Sequence, residues 1–479
     1  MHPGGVAPRA GPRRRLAFDR KTIRERDMPD QNLTELEPPP VAWSDRYRRY
    51  ALGLLMLIYA LNMLDRQIIT ILAEPMKAEL NLADWQIGAV SGLAFALFYS
   101  AVGLPMARFA DRGDRVRLIA ISLAVWSAFT AVCGLARTFP QLILARIGVG
   151  IGEAGCTPAA HSLITEFTPR AKLASALAFY SLGIPLGSLL GLAVGGLLVD
   201  AMGWRAAFII AGLPGIGVAV IASLTLREPR RLRPKAERAP GQTTSLAAAL
   251  AELKQKPAFW LIALAAALTS FSYYGQSAFF GSVFLRNHGP VLTQLGEDLG
   301  LGPAGLAGLA LGLAIGVSAG AGTLIGGKLA DRAARGGVSG YAKQPMVVLL
   351  ASTPFLGVTP FAPNLPLALA ALAVGVFLHA MAYGPTFASV QVLASPRVRA
   401  TASAILFFLT SLIGLGLGPL AVGVASDLLR ASLGPVQSLN LACAGASITM
   451  VASVVCFGFA ARQMSGEAPA RSASVSSGA

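Results

Sequence analysis

Charge is scarce in this sequence of 479 residues: Asp, Glu, Lys and Arg make up 13% of it, where roughly 25% is usual for a soluble protein. What charge there is leans one way, with 40 Lys and Arg against 24 Asp and Glu. Cysteine is as sparse. Cys133, Cys156, Cys443 and Cys456 all lie in apolar stretches without metal-ligand spacing, which argues against a disulfide framework or a zinc site. The sequence has no phosphate-binding glycine loop and no nucleophile–base constellation, so an enzyme and ATP coupling are both disfavoured and no cofactor is expected. The run Arg13-Arg14-Arg15 lacks the apolar stretch that a cleaved signal requires. Nor does the basic excess make a nucleic-acid surface, because it falls in short loops without interleaved aromatics.

Apolar residues, by contrast, are abundant: they are 54% of the chain, and the mean hydropathy is +0.60. Twelve runs follow one another, near 50–72, 85–107, 116–136, 139–166, 171–199, 206–226, 258–285, 303–327, 344–362, 365–394, 400–426 and 436–460. Each approaches the ~20 residues that a helix needs to cross a bilayer, and helices satisfy their own backbone there. The expected fold is an all-α membrane protein of twelve transmembrane helices in two six-helix bundles.

The loops set the orientation. With the N-terminus inside, the inner loops receive most of the Lys and Arg, and the outer ones only Lys77, Arg137, Arg205, Arg286 and Arg430. By the positive-inside rule both termini are cytoplasmic, as in a bacterial inner-membrane protein. Residues 1–48 read as a disordered basic arm able to touch anionic lipid, with Met28 as an alternative start. Residues 49–226 and 258–462 are the bundles, 227–257 a cytoplasmic linker with a short helix after Ser245, and 463–479 a disordered tail.

The halves repeat. Ala107-Arg-Phe-Ala-Asp111-Arg112-Gly-Asp-Arg115 is answered by Gly327-Lys-Leu-Ala-Asp331-Arg332-Ala-Ala-Arg335. Pro158, Ser162 and Asp200 are answered by Pro385, Ser389 and Asp427, all 227 residues on, which points to duplication. Gly183, Pro185, Gly187 and Gly191, with Gly414, Gly416, Gly418 and Pro419 in the repeat, allow close helix approach or bending. Arg146 and Glu153 do not repeat, since Ala373 and Ala380 stand at the matching positions.

Those two charges lie inside an apolar run, as do Asp65 and Arg66. Each would cost about 2.5–3.5 kcal/mol facing lipid, so they face one another or water. A static ion-pair network and a proton or substrate relay both satisfy that demand. With the first helix leaving the membrane near Leu72, Asp65 and Arg146 fall at a similar level and Glu153 about 10 Å deeper. Asp65 and Arg146 are therefore placed to pair. Asn62, Tyr180, Tyr273, Tyr274, Gln276, Ser277, His379, Tyr383 and Phe407 are candidate lining of a central cavity.

The paired Asp-Arg-x-x-Arg loops and Gly203-Trp-Arg-Ala-Ala-Phe208 resemble the major facilitator superfamily over nearly the whole membrane portion. In such a protein Asp111, Arg112, Arg115, Asp331, Arg332 and Arg335 form a conformational latch, though Ala107 and Asp114 depart from the usual loop. Asp65-Arg66, Arg146-x6-Glu153 and Tyr180-Ser-Leu-Gly183-Ile-Pro185-Leu-Gly187 resemble the Spinster family more finely. That resemblance implies a proton-coupled transporter of lysophospholipids or sphingosine 1-phosphate, with Asp65, Glu153, Arg146 and Arg66 in coupling. The expected partners are then protons, membrane lipids and an amphipathic small molecule, handled by a monomer. Phe279, Phe280, Phe407 and Phe408 offer surfaces suited to an acyl chain. Two alternatives stand beside it: a small organic-anion carrier with Arg66 and Arg146 as ligands, and a transporter-shaped receptor without net flux.

Overall fold

The computed structural model describes residues 43–169, 172–232, 246–395 and 397–466, which are helical almost throughout. The first half begins with α1 (Asp45–Leu80), followed by α2 (Asp84–Gly88), a π-helical turn (Ala89–Leu93) and α3 (Ala94–Arg112) in one continuous crossing. Then come α4 (Arg115–Cys133), α5 (Phe139–Glu153), α6 (Cys156–Phe167), α7 (Leu173–Ser181) and α8 (Gly183–Thr225). After the linker helix α9 (Leu246–Lys254), the second half holds α10 (Pro257–Ser277), α11 (Phe280–Leu299), α12 (Pro303–Ala334) and α13 (Gly340–Val358). It ends with α14 (Leu365–Ala380), α15 (Tyr383–Leu393), α16 (Arg399–Leu409), a second π segment (Thr410–Leu417) and α17 (Gly418–Gly466).

Among the described residues, nine stretches are long and apolar enough to cross a membrane. Two of these, Ser175–Thr225 and Thr401–Ser465, contain a break at Gly203 and Gly434, whose φ of 79° and 76° suits a residue without Cβ. Each is thus two crossings, and α5 with α6 forms another, interrupted at Ala154–Gly155. The chain is an integral multi-pass protein, and its described residues make twelve helical crossings.

Local chemistry sets the ends. The Ser44 hydroxyl accepts from the Tyr47 amide (3.3 Å), Asp114 from Arg117 (2.9 Å) and Asn364 from Leu367 (3.0 Å), which caps α1, α4 and α14. Two boundaries differ most from the hydropathy reading. Helix α1 runs on to Leu80, past Leu72, and the seventh crossing continues through α11 to Leu299, past residue 285. Polar residues enter both extensions, Glu74 pairing with Arg286 and Asn287 with Asn440, so hydropathy ended the run where the helix did not. Asp65 is accordingly farther from the end of its helix than the apolar run implied.

Packing repeats between halves. Helix α8 packs on α1 and α4 in its own half and on α12 of the other, while α17 packs on α10 and α13 and on α2 of the other. The linker helix docks on the second half through Glu252, which accepts from Ser395 N (3.2 Å), Ser395 Oγ (2.8 Å) and Lys256 Nζ (3.0 Å). Lys256, then Ser395, hold this carboxyl below its ordinary range. Ser245 lies outside the described residues.

Candidate functional site

Four charged side chains meet inside the first half as two crossed pairs. Asp65 on α1 accepts from Arg146 Nη1 on α5 at 3.0 Å and from the Thr130 hydroxyl on α4. Arg66, one residue on, turns to Glu153 at the other end of α5, giving Nε to Oε2 at 2.9 Å and Nη2 to Oε2 at 2.8 Å. Both guanidiniums flank the Phe95 ring, at 4.6 Å for Arg66 and 5.6 Å for Arg146, and Arg66 also lies 4.9 Å from Tyr99. Asp65, Arg146 and Glu153 are buried, at 3%, 1% and 1% exposure. Gly150 brings α5 against α3, since a Cβ there would stand 2.6 Å from the Phe95 carbonyl oxygen.

The pairs differ in how fully they are satisfied. Both oxygens of Asp65 are engaged, whereas Glu153 Oε1 has no partner among the described residues, and neither has Arg146 Nε. A buried carboxylate with one committed and one free oxygen can take up a proton at the free oxygen, which removes its charge and weakens its bond to the cation. Sequence reasoning anticipated Asp65 with Arg146 from their level, but assigned Arg66 no specific partner.

Beside the pairs lies a cavity of about 110 Å³ between the halves. Its first-half wall carries Arg66, Arg146, Phe95 and Ser188, and its second-half wall Tyr273, Tyr274, Ser277, His379 and Tyr383. His379 stacks on Tyr273 (ring centroids 4.3 Å) and its Nε2 lies 3.2 Å from the Tyr383 hydroxyl. Four of the expected lining residues are elsewhere. Asn62 and Gln276 are buried beside the cavity without lining it, and Tyr180 is stacked on Tyr59 at 4.6 Å. Phe407 is 55% exposed and packs on Phe387. Phe279 and Phe280 are buried outside the cavity lining and Phe408 is exposed, so this aromatic set does not form one cavity wall. Spacing along a helix gives a face, but not which neighbour covers it.

The loop cluster also departs from expectation. Arg115 is fully buried within the first half, where it donates to Glu166 (2.6 Å), the Ser162 hydroxyl (3.0 Å) and Glu228, tying the start of the linker to α4 and α6. It is an internal brace rather than a contact across the halves. Asp114 pairs with Arg231. The side chains of Asp111 and Arg112 lie outside the described ones. Asp331, Arg332 and Arg335 are exposed and form no ion pair among the described residues.

Among the described residues, the cross-half ion pairs sit at the opposite, distal end. Arg286 on α11 donates to Glu74 on α1 (2.6 and 3.0 Å) and to Asp84 on α2 (2.8 and 3.2 Å), and Lys77 also binds Asp84. Sequence reading placed Arg286 in an outer loop; the partners are more than 200 residues away in the chain, with no local signal to announce them. The molecule is thus fastened at the distal end, while among the described residues Asp331, Arg332 and Arg335 of the second-half loop, at the end bearing the termini, form no ion pair.

Comparison with known proteins places these features. The model of the Major Facilitator Superfamily matches residues 55–419. An MFS-type efflux pump of Mycolicibacterium smegmatis is 33% identical over 414 residues, 86% of this chain and 91% of that protein. A probable L-galactonate transporter of Escherichia coli is 29% identical over 175 residues, 36% of this chain and 38% of that one. Among solved structures, a bacterial homolog of the human lysosomal transporter Spinster, inward-facing and unoccupied, superposes with a TM-score of 0.76 at 31% identity, covering 88% of this chain and 98% of that one.

Proposed function

The chain belongs to the major facilitator superfamily and, within it, to the Spinster family, and from that premise we propose that it is a proton-coupled carrier of an amphipathic, lysolipid-like substrate. It works by alternating access, its bundles 49–226 and 258–462 rocking about the central cavity. The observation that carries this reading is the crossed quartet: Asp65–Arg146 and Arg66–Glu153, with Glu153 Oε1 unpartnered, beside a cavity shared by both halves. Proton transfer at Glu153 weakens its hold on Arg66, and the released guanidinium meets the anionic or zwitterionic head of the substrate in the cavity it lines. Intramembrane ionisable groups facing a cavity are the expected parts of such a relay. With both termini cytoplasmic, the distal end faces outward and the conformation described is closed to the outside.

A small organic anion is the second reading, favoured by the cavity itself. Its volume of about 110 Å³ is below the ~300 Å³ at which small-molecule pockets usually begin, which suits a compact solute better than a tailed one. The separating experiment is flux into proteoliposomes under an imposed pH gradient, with lysophospholipids of graded chain length and a sugar acid. Each buried methylene contributes about 0.8 kcal/mol, so shortening the tail by four carbons should weaken binding by about 3 kcal/mol. A flat response together with good sugar-acid transport rejects the lipid reading.

A further inference from the structure

Asp200 and Asp427, related by the repeat displacement of 227 residues, occupy matching places at the distal end. Each closes a helix start in the opposite half. Asp427 accepts from the backbone N–H of Asp84 (3.1 Å) and Trp85 (2.7 Å), where the second crossing begins. Asp200 accepts from the backbone N–H of Gly305, where α12 begins. Trp85 and Gly305 are themselves repeat partners, 220 residues apart like Asp111 and Asp331. The N-cap residues themselves, Ala83 and Gly302, supply no capping side chain; from its own half the first helix start receives only Gln86 Oε1, which accepts from the Ala83 N–H at 2.8 Å. A Cβ on Gly302 would stand 2.3 Å from Asp200 Cγ, so this glycine makes the space that the carboxylate fills.

The backbone beneath each carboxylate repeats as well. A Cβ on Gly423 would meet the Asp84 carbonyl oxygen at 2.4 Å, and one on Gly196 the Ala304 carbonyl oxygen at 2.3 Å. One on Gly88 would meet the Pro419 oxygen at 2.2 Å, and one on Gly308 the Leu192 oxygen at 2.2 Å. Displacements of 227 and 220 residues carry each member of one seam onto its counterpart in the other. Nothing about a single folded half requires this, because every one of these contacts crosses between halves. Among the described residues neither Asp200 nor Asp427 forms an ion pair, so their stabilisation comes from the exposed N–H groups and dipole of the helix they cap.

We propose that Asp200 and Asp427 are paired caps supplied in trans, the two matched latches that hold the distal side shut, so that opening that side requires both helix starts to give up their caps. The inference rests on the alternating-access reading. The seams are not equally braced, since Asp84 is also held by Arg286, Lys77 and Ser426. Asp200 stands without such support and is the weaker-backed latch.

The test is a distance measurement between spin labels at Leu135 in the first half and Leu433 in the second, both exposed in distal turns, in purified full-length protein without substrate. Hydrogen bonds to charged groups are worth about 1.5–3 kcal/mol, so Asp200→Ala or Asp427→Ala should each raise the long-distance population about tenfold or more, Asp200→Ala the more strongly. The double variant should exceed either, and Asp→Asn should give the same direction with smaller size. Gly196→Ala and Gly423→Ala, which wedge the seams and keep the caps, should shift the distribution the same way. Lowered thermal stability with an unchanged distribution in both Asp→Ala variants overturns the proposal, as does a response confined to one seam. The readout needs no transport. A shift in a protein that moves no substrate would count against the proposed function alone, and no shift in a protein that transports would count against the latches alone.

Discussion

Removing the charge of Arg146 while keeping its aliphatic stem, as in Arg146→Met, should be among the most damaging single changes in the first half. Arg146 and Asp65 are 1% and 3% exposed. Asp65 Oδ2 takes its bond from Arg146 at 3.0 Å, and Oδ1 takes only the Thr130 hydroxyl. Without the guanidinium a buried carboxylate is left with a single neutral donor, and breaking a buried pair from one side costs about 3–5 kcal/mol. Neutralising both partners, Asp65→Asn with Arg146→Met, removes the uncompensated charge and leaves Thr130 a partner on residue 65. The double variant should therefore regain most of the loss, for a coupling energy of about 3 kcal/mol. Reversible unfolding in mixed micelles, followed as a thermodynamic cycle over the four proteins, measures this. A loss below about 1 kcal/mol for Arg146→Met, or a double variant equal to the sum of the singles, would refute a desolvated pair.

Other expectations follow from the same structure. Arg115→Met should destabilise the first half by about 3–5 kcal/mol, because Glu166 and Glu228 lose a fully buried partner; protease sensitivity near residue 230 reports it, and unchanged cleavage contradicts it. The Glu252 carboxyl is held below its usual range by Lys256, so its contribution to docking α9 is complete above the unfolded value of about 4.3 and is lost as pH falls through the folded one. Amide exchange in α9 should therefore quicken, relative to the neighbouring α10, as pH falls from neutrality into the acid range, and Glu252→Gln should remove that dependence. A reporter fused after Arg238 should behave as cytoplasmic, since eight Lys or Arg residues flank or fill that linker; activity on the opposite side would reverse the orientation.

The fold was largely legible because lipid imposes simple rules: apolar length marked the crossings. The charges at Asp65, Arg66, Arg146 and Glu153 were equally legible, being too costly to leave facing lipid. Their pairing was only half readable. Helical rise put Asp65 level with Arg146, but no one-dimensional count says that Arg66 reaches Glu153 around Phe95. Membership of the cavity wall was less legible still, as Phe407 illustrates: an aromatic on a small-residue helix faces whatever its neighbours leave open. Least visible of all was the distal fastening. Glu74, Arg286 and Asp84 lie in three separate helices, and the identity of Asp200 with Asp427 in the repeat acquired meaning only once their acceptor bonds were located.

The most direct test of the central claim is proton movement coupled to transport. Proteoliposomes holding the wild type, Asp65→Asn or Glu153→Gln, with an internal pH dye, would be given a lysophospholipid or a sugar acid on one side and no imposed gradient. The account predicts a substrate-dependent pH change with the wild type that both neutral variants abolish, while each variant still unfolds cooperatively and still binds substrate. A wild-type protein that moves substrate with no accompanying proton flux, or neutral variants that retain it, would contradict the account.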